Sequence, residues 1–220
     1  MKFNRVDLLV ALYIFCIAVS ELMGGKTFPV TTIFGFHLTA SVAIFVIPLM
    51  YTAVDVFVEV FGKERARSLL MSGLIVIALL LIYSLLATHL PPSTRALKTE
   101  NAYDTVFNTT ARIAAASLTA FGLASLLDIL VFAKLRERMH KKALWFRNNA
   151  SNFVSQFFDT FIFITLAFYA LDKPVGYNVT FLLGLIIPYW LLKCFMSVIE
   201  TPLVYAGVAW LRGGEKGKTA

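Results

Sequence analysis

The stretch Arg147-Asn-Asn-Ala-Ser-Asn-Phe-Val-Ser-Gln-Phe-Phe-Asp-Thr160 decides how this chain is read. It runs directly into the apolar segment Phe161–Leu171, so the two together predict one membrane helix with a polar first half. Asn149, Asn152, Gln156, Asp159 and Thr160 recur at three- and four-residue spacing, which places them on one stripe of that helix. A polar stripe on a spanning helix faces protein or a wet cavity, because lipid offers its hydrogen-bonding groups no partner. Any one of these residues is explained by a hydrogen bond between helices. The whole stripe, with a carboxylate far from the helix ends, points to a substrate site.

Composition sets the frame around that stretch. The chain has 220 residues, 59% of them hydrophobic, with 20 Phe and a mean hydropathy of +0.76. No soluble core needs that much apolar residue. A spanning helix takes about 20 residues, and six segments qualify, at roughly 6–23, 39–60, 67–89, 108–134, 149–171 and 178–210. Little chain is left for anything else. The expectation is a single all-α integral membrane domain over residues 1–220, with six transmembrane helices.

The net charge of +7 is a topology signal and does not predict a nucleic-acid partner. Lys2 and Arg5 precede the first segment, and Lys63, Arg65 and Arg67 sit between the second and third. Lys134, Arg136, Arg138, Lys141, Lys142 and Arg147 lie between the fourth and fifth, and Arg212, Lys216 and Lys218 follow the sixth. The alternate loops are poor in Lys and Arg. By the positive-inside rule both termini are expected in the cytoplasm. The first segment has a basic start, yet it carries Glu21 and lacks a small-x-small cleavage site, so it reads as a retained helix. Cys16 and Cys194 lie in apolar runs and read as small hydrophobes.

Candidate binding residues follow from where polar groups interrupt apolar helices. In the second segment Tyr51, Asp55 and Glu59 fall at i, i+4 and i+8 below Pro48, which reads as a mid-helix kink. Asp55 is expected to be deep and to need a partner. In the sixth, Pro188 and Pro202 are expected to interrupt the helix, and between them Tyr189, Lys193 and Glu200 share a face. Counting about 1.5 Å per residue from the basic helix end, Gln156 and Asp159 reach mid-membrane, the depth also expected for Lys193. A charge there costs at least about 2.5 kcal/mol, so Asp159 and Lys193 are expected to pair, either as a purely structural bridge or as part of a ligand site. Carboxylates, amides and a lysine, with Tyr51, Phe153, Phe157, Tyr189 and Trp190 for stacking, suit a flat polar ring. Glu21, at the end of the first segment before Gly24-Gly25, is a further lining candidate. Motifs for an enzyme, a metal or a cofactor are not found: there is no glycine-rich phosphate loop and no Ser–His–Asp set, and His37, His89 and His140 stand at loop edges.

Several motifs in order resemble one family. Glu21-Leu-x-Gly-Gly-Lys26, Pro48-Leu-x-Tyr-x-x-x-Asp55-x-x-x-Glu59-x-x-Gly62, Asp128 with the basic run after it, and Arg147-Asn-Asn-x-Ser151 followed by Gln156-x-x-Asp159-Thr160 are similar to the queuosine precursor transporter family. The resemblance covers nearly the whole chain. It implies uptake of deazaguanines, the nitrile preQ0 and the amine preQ1, across the bacterial inner membrane to supply tRNA modification. It also implies a six-helix fold like the substrate-binding subunits of energy-coupling-factor vitamin transporters. The expected partners are the small deazaguanine and the lipid bilayer, without an obligatory ATPase; the alternative is a substrate-binding subunit of an ATP-driven transporter of that kind. The resemblance leaves the preferred precursor open.

Overall fold

The computed structural model describes residues 4–33, 35–138 and 144–213. Six α-helices and one short hairpin are found among them: α1 (Arg5–Met23), β1 (Thr27–Ile33), β2 (Phe36–Ser41), a 3-10 turn (Val42–Phe45), α2 (Ile47–Phe61), α3 (Lys63–His89), α4 (Glu100–Arg138), α5 (Leu144–Phe168) and α6 (Val175–Gly213). Among the described residues three segments are long and apolar enough to cross a membrane: Arg5–Met23, Lys63–His89 and Val175–Phe195. The helix Phe153–Phe168 is apolar but shorter.

The chain divides into two compact units. One holds Met1–Thr27, Ser41–Ala111 and Phe195–Ala220; the other holds Phe28–Ala40 and Arg112–Cys194. The first is built on α1, α2 and α3. Leu9, Tyr13 and Ile17 of α1 pack with Ala53, Val56 and Phe57 of α2, with Ala66 and Leu69 of α3, and with Val208 and Leu211 of α6. Small residues set the spacing. A Cβ on Gly73 would lie 2.5 Å from the Tyr13 hydroxyl, and one on Gly207 would lie 2.6 Å from a Val56 methyl. Asn4 caps α1 by accepting from the Val6 N–H at 3.1 Å. The Arg5 guanidinium donates to the Trp210 carbonyl and sits 5.6 Å over the Trp210 ring. That contact puts the start of α1 and the end of α6 at the same end of this unit. The apolar face of α3, with Ile75, Leu79, Ile82 and Leu86, is exposed, as a lipid-facing helix requires.

Several expectations are corrected here. The second apolar segment, Thr39–Val60, is not one helix. Its first residues close a β-hairpin, whose turn holds Gly35 at φ 81°. Ser41 then donates to the Gly24 carbonyl at 2.6 Å and accepts from the Ala43 N–H at 3.1 Å, which starts the 3-10 turn. Pro48 does not kink a helix interior: it stands in the first turn of α2, where its missing N–H costs nothing. Gly62, at φ 81° and ψ 172°, is the single residue between α2 and α3, in a backbone region that side chains with a Cβ avoid. Pro188 and Pro202 do not break α6, which runs unbroken for 39 residues. The fold is thus helical with one hairpin, and not purely α.

In the second unit Ile113 and Ala116 of α4 pack on Ala167, Phe163 and Phe168 of α5. Ala116, Ala120 and Ala124 are all buried, as small residues spaced by four on a packing face should be. The turn between α5 and α6 is bound from two sides. Arg112 Nε donates to the Leu166 carbonyl at 2.8 Å, and another of its nitrogens donates to the Tyr169 carbonyl at 2.5 Å. Asn178, 1% exposed, accepts from the Ala170 N–H and donates to the Ala170 carbonyl, both at 2.8 Å. The hairpin lies against α6: a Cβ on Gly184 would stand 2.5 Å from the His37 carbonyl oxygen.

Candidate functional site on the α5–α6 pair

One predicted polar pair joins α5 and α6. Lys193 Nζ donates to Asp159 Oδ2 at 2.6 Å, with the lysine side chain 12% exposed and the aspartate 31%. The expected ion pair is therefore present, with the ammonium well buried and the carboxylate partly open. Gln156, half-buried, lies one turn before Asp159 on the same face of α5. Tyr189 is buried four residues before Lys193.

An aromatic wall stands on the same two helices. The Trp190 ring meets Phe153 with centroids 4.7 Å apart and Phe157 at 5.3 Å, both edge to face. Phe157 also stacks on Phe161 at 6.3 Å. Rings in this arrangement fix one another by their quadrupoles, so the indole is held in place by α5. Two polar atoms in the wall have no hydrogen-bond partner among the described residues, the Trp190 Nε1 and the Thr160 Oγ1. Thr160 is 1% exposed. A buried donor left unmade costs about 1–3 kcal/mol, and such groups call for an explanation.

Of the remaining predicted residues, Glu21, Tyr51 and Asp55 lie in the first unit. Glu21 is buried in the first unit, at the end of α1, and Tyr51 is half-buried on α2. Asp55 is exposed, on the side of α2 turned away from Ala53, Val56 and Phe57. Tyr51, Asp55 and Glu59 thus share the less buried face of α2. Asn149 and Asn152 fall within α5 and Glu200 within α6, but their side chains lie outside the described residues, as does that of Asp128. Sequence reasoning placed Trp190 among stacking rings and missed its N–H. It gave Arg112 and Asn178 no role, although a guanidinium near the start of an apolar segment and an Asn just after a Pro were visible signals.

The model of a family described as putative vitamin uptake transporter matches residues 41–207. A probable queuosine precursor transporter of Bacillus subtilis is 30% identical over 188 residues, 85% of this chain and 80% of that protein. One of Haemophilus influenzae is 30% identical over 167 residues, 76% of this chain and 66% of the relative. A queuosine precursor transporter of Escherichia coli is 32% identical over 138 residues, 63% of this chain and 58% of that protein. No solved structure matches. With the family model spanning most of the chain and three segments among the described residues long and apolar enough to cross a membrane, this is a multi-pass protein of the bacterial inner membrane that belongs to the putative vitamin uptake transporter family, the family of the queuosine precursor transporters.

Proposed function

We propose that the chain imports queuosine precursors, the deazaguanines preQ0 and preQ1, and holds them against the α5–α6 pair. The observation that carries the reading is the Lys193–Asp159 contact at 2.6 Å beside the Trp190, Phe153 and Phe157 rings. A guanine-type edge presents one carbonyl acceptor, one ring N–H and one amino group side by side. An ammonium and a carboxylate side by side are its complement: Lys193 donates to the carbonyl while Asp159 accepts from the ring N–H and the amino group. The pair then exchanges part of its mutual contact for contacts to the ligand, and neither charge is stranded. The rings supply the stacking surface, and Gln156 offers a further donor and acceptor.

The transporter is read as six crossings with both termini in the cytoplasm and a fold like that of energy-coupling-factor substrate-binding subunits. The distribution of Lys and Arg supports that topology, and so does the Arg5–Trp210 contact, which keeps the two ends of the chain together. The helix α2 has 15 residues, about 22 Å at 1.5 Å each, against a hydrocarbon core of about 30 Å. The 3-10 turn Val42–Phe45 lengthens that crossing. Transport needs no ATPase partner in this reading, and the chain is not an enzyme.

Proteoliposomes containing this chain alone test it. Uptake of labelled preQ0, saturable and competed by preQ1 but not by adenine, is expected. No uptake by the reconstituted chain, together with no binding of either precursor, would reject the function; binding without uptake would return the chain to the role of a binding subunit.

A further inference from the structure

From the geometry of the α5–α6 wall we infer that the Trp190 indole N–H is the group that reads the substituent at position 7 of the deazaguanine and makes the site favour a hydrogen-bond acceptor there. The inference rests on the guanine-edge reading of Asp159 and Lys193. Its own basis is separate. The Trp190 Nε1 is buried and makes no hydrogen bond among the described residues. The ring cannot readily swing toward a partner, because Phe153 and Phe157 hold it edge to face at 4.7 and 5.3 Å. A second buried polar atom without a partner, the Thr160 Oγ1, lies on the facing helix, three residues after Phe157. Two such atoms on two packed helices, one turn from an ion pair, describe a place where a polar ligand completes the hydrogen bonding.

The ligand's own shape links the indole to position 7. In a deazaguanine the ring carbonyl and position 7 are neighbours on the same side of the bicycle. Lys193 takes the carbonyl in the proposed pose. Trp190 precedes Lys193 by three residues on α6, and residues three apart on a helix have Cβ atoms about 5–6 Å apart. A group projecting from position 7 therefore approaches the indole when the carbonyl is on the lysine. A nitrile ends in a nitrogen that accepts a hydrogen bond; an aminomethyl group is a cationic donor and offers the N–H nothing to bind. Sites built to hydrogen-bond a group discriminate strongly against analogues that lack it.

The test is equilibrium binding to purified full-length protein of three ligands: 7-cyano-7-deazaguanine, 7-aminomethyl-7-deazaguanine and unsubstituted 7-deazaguanine. Trp190→Phe keeps an aromatic ring and removes the N–H. The expected result is that affinity for the nitrile falls about five- to tenfold more than affinity for the unsubstituted ring and the amine, whose common loss reports the smaller stacking surface. Equal weakening for all three ligands would overturn the inference, since that is what lost packing produces. Unchanged nitrile affinity would overturn it as well. If Trp190→Phe does not fold, the benzothiophene analogue of tryptophan at position 190 keeps the bicyclic shape without the N–H and carries the same expectation. Failure of the underlying reading looks different: the unaltered protein then binds none of the three.

Discussion

Removing the ion pair in two steps separates a structural brace from a binding site. Lys193 is 12% exposed and its contact with Asp159 is 2.6 Å. Taking away one partner of a fully buried pair costs about 3–5 kcal/mol, because the other charge is left without compensation. Asp159→Leu leaves the Lys193 ammonium, 12% exposed, without that carboxylate; the pair is not fully buried, so about 2–3 kcal/mol is the expectation for this variant alone. Lys193→Met alone should cost less, since the carboxylate left behind is the more open partner. Replacing both removes both charges, and apolar residues of similar volume commonly restore the stability of a buried pair. Asp159→Leu/Lys193→Met should therefore unfold near the temperature of the unaltered protein, while each single variant unfolds earlier. Binding should not recover with it. The double variant lacks the acceptor for the ring N–H and amino group and the donor for the carbonyl, and two to three lost hydrogen bonds amount to about a hundredfold or more in affinity. The assays are thermal unfolding in detergent and calorimetric binding of preQ0 to the same preparations. A double variant that is stable and binds preQ0 at unaltered affinity would refute the site and leave the pair as a brace.

Three further outcomes follow from other contacts. Asn178→Ala strands the N–H of Ala170, held at 2.8 Å, and leaves its carbonyl only the Lys173 N–H at 3.3 Å; it should lower stability by about 1–3 kcal/mol in thermal unfolding. Gly184→Ala drives a Cβ to 2.5 Å from the His37 carbonyl oxygen and should destabilise the protein by about 1–3 kcal/mol, whereas Gly122→Ala, with nothing within 4 Å of its Cβ, should not; equal unfolding temperatures for the two would refute the hairpin contact. A cysteine replacing Lys141 should be reached by an impermeant thiol reagent in inside-out vesicles and not in intact cells, and labelling from outside would overturn the topology.

The ion pair was legible because the bilayer leaves so few options. A lone lysine and a lone aspartate far from any helix end must find partners, and the three- and four-residue spacing of the α5 stripe aimed Asp159 inward. The same logic reaches less far at Asp55, which is exposed on α2. Tyr51, Asp55 and Glu59 share a face as predicted, but periodicity says only that a face exists, not which way it turns. The buried Ala53, Val56 and Phe57 show that α2 turns its apolar side to the core. The hairpin was missed for another reason. Val30-Thr-Thr-Ile33 is a β-branched run, and Gly35 follows two residues later, which together are a hairpin signal. The surrounding hydropathy drew the second segment as helix from Thr39, and Pro48 then looked like a kink when it marks a helix start.

Hydropathy also concealed Trp190. In a count of apolar residues tryptophan is one more ring, and nothing in the sequence says whether its N–H has a partner. That is decided by the neighbours on α5, and Phe153 and Phe157 offer the indole faces and edges but no acceptor. A structural tryptophan buried in a bundle would ordinarily meet a carbonyl or a side-chain oxygen, because leaving the donor unmade is costly where no water competes. The indole has instead been placed among rings on a helix that, three residues later, carries a paired lysine. Clamps at the α5–α6 turn, Arg112 on Leu166 and Tyr169 and Asn178 on Ala170, hold these two helices together at one end. In the proposed pose the indole needs no movement to bind: a flat ring that takes its edge from Asp159 and Lys193 would bring its own acceptor to the N–H, and the proposed preference for a nitrile rests on where that donor already stands.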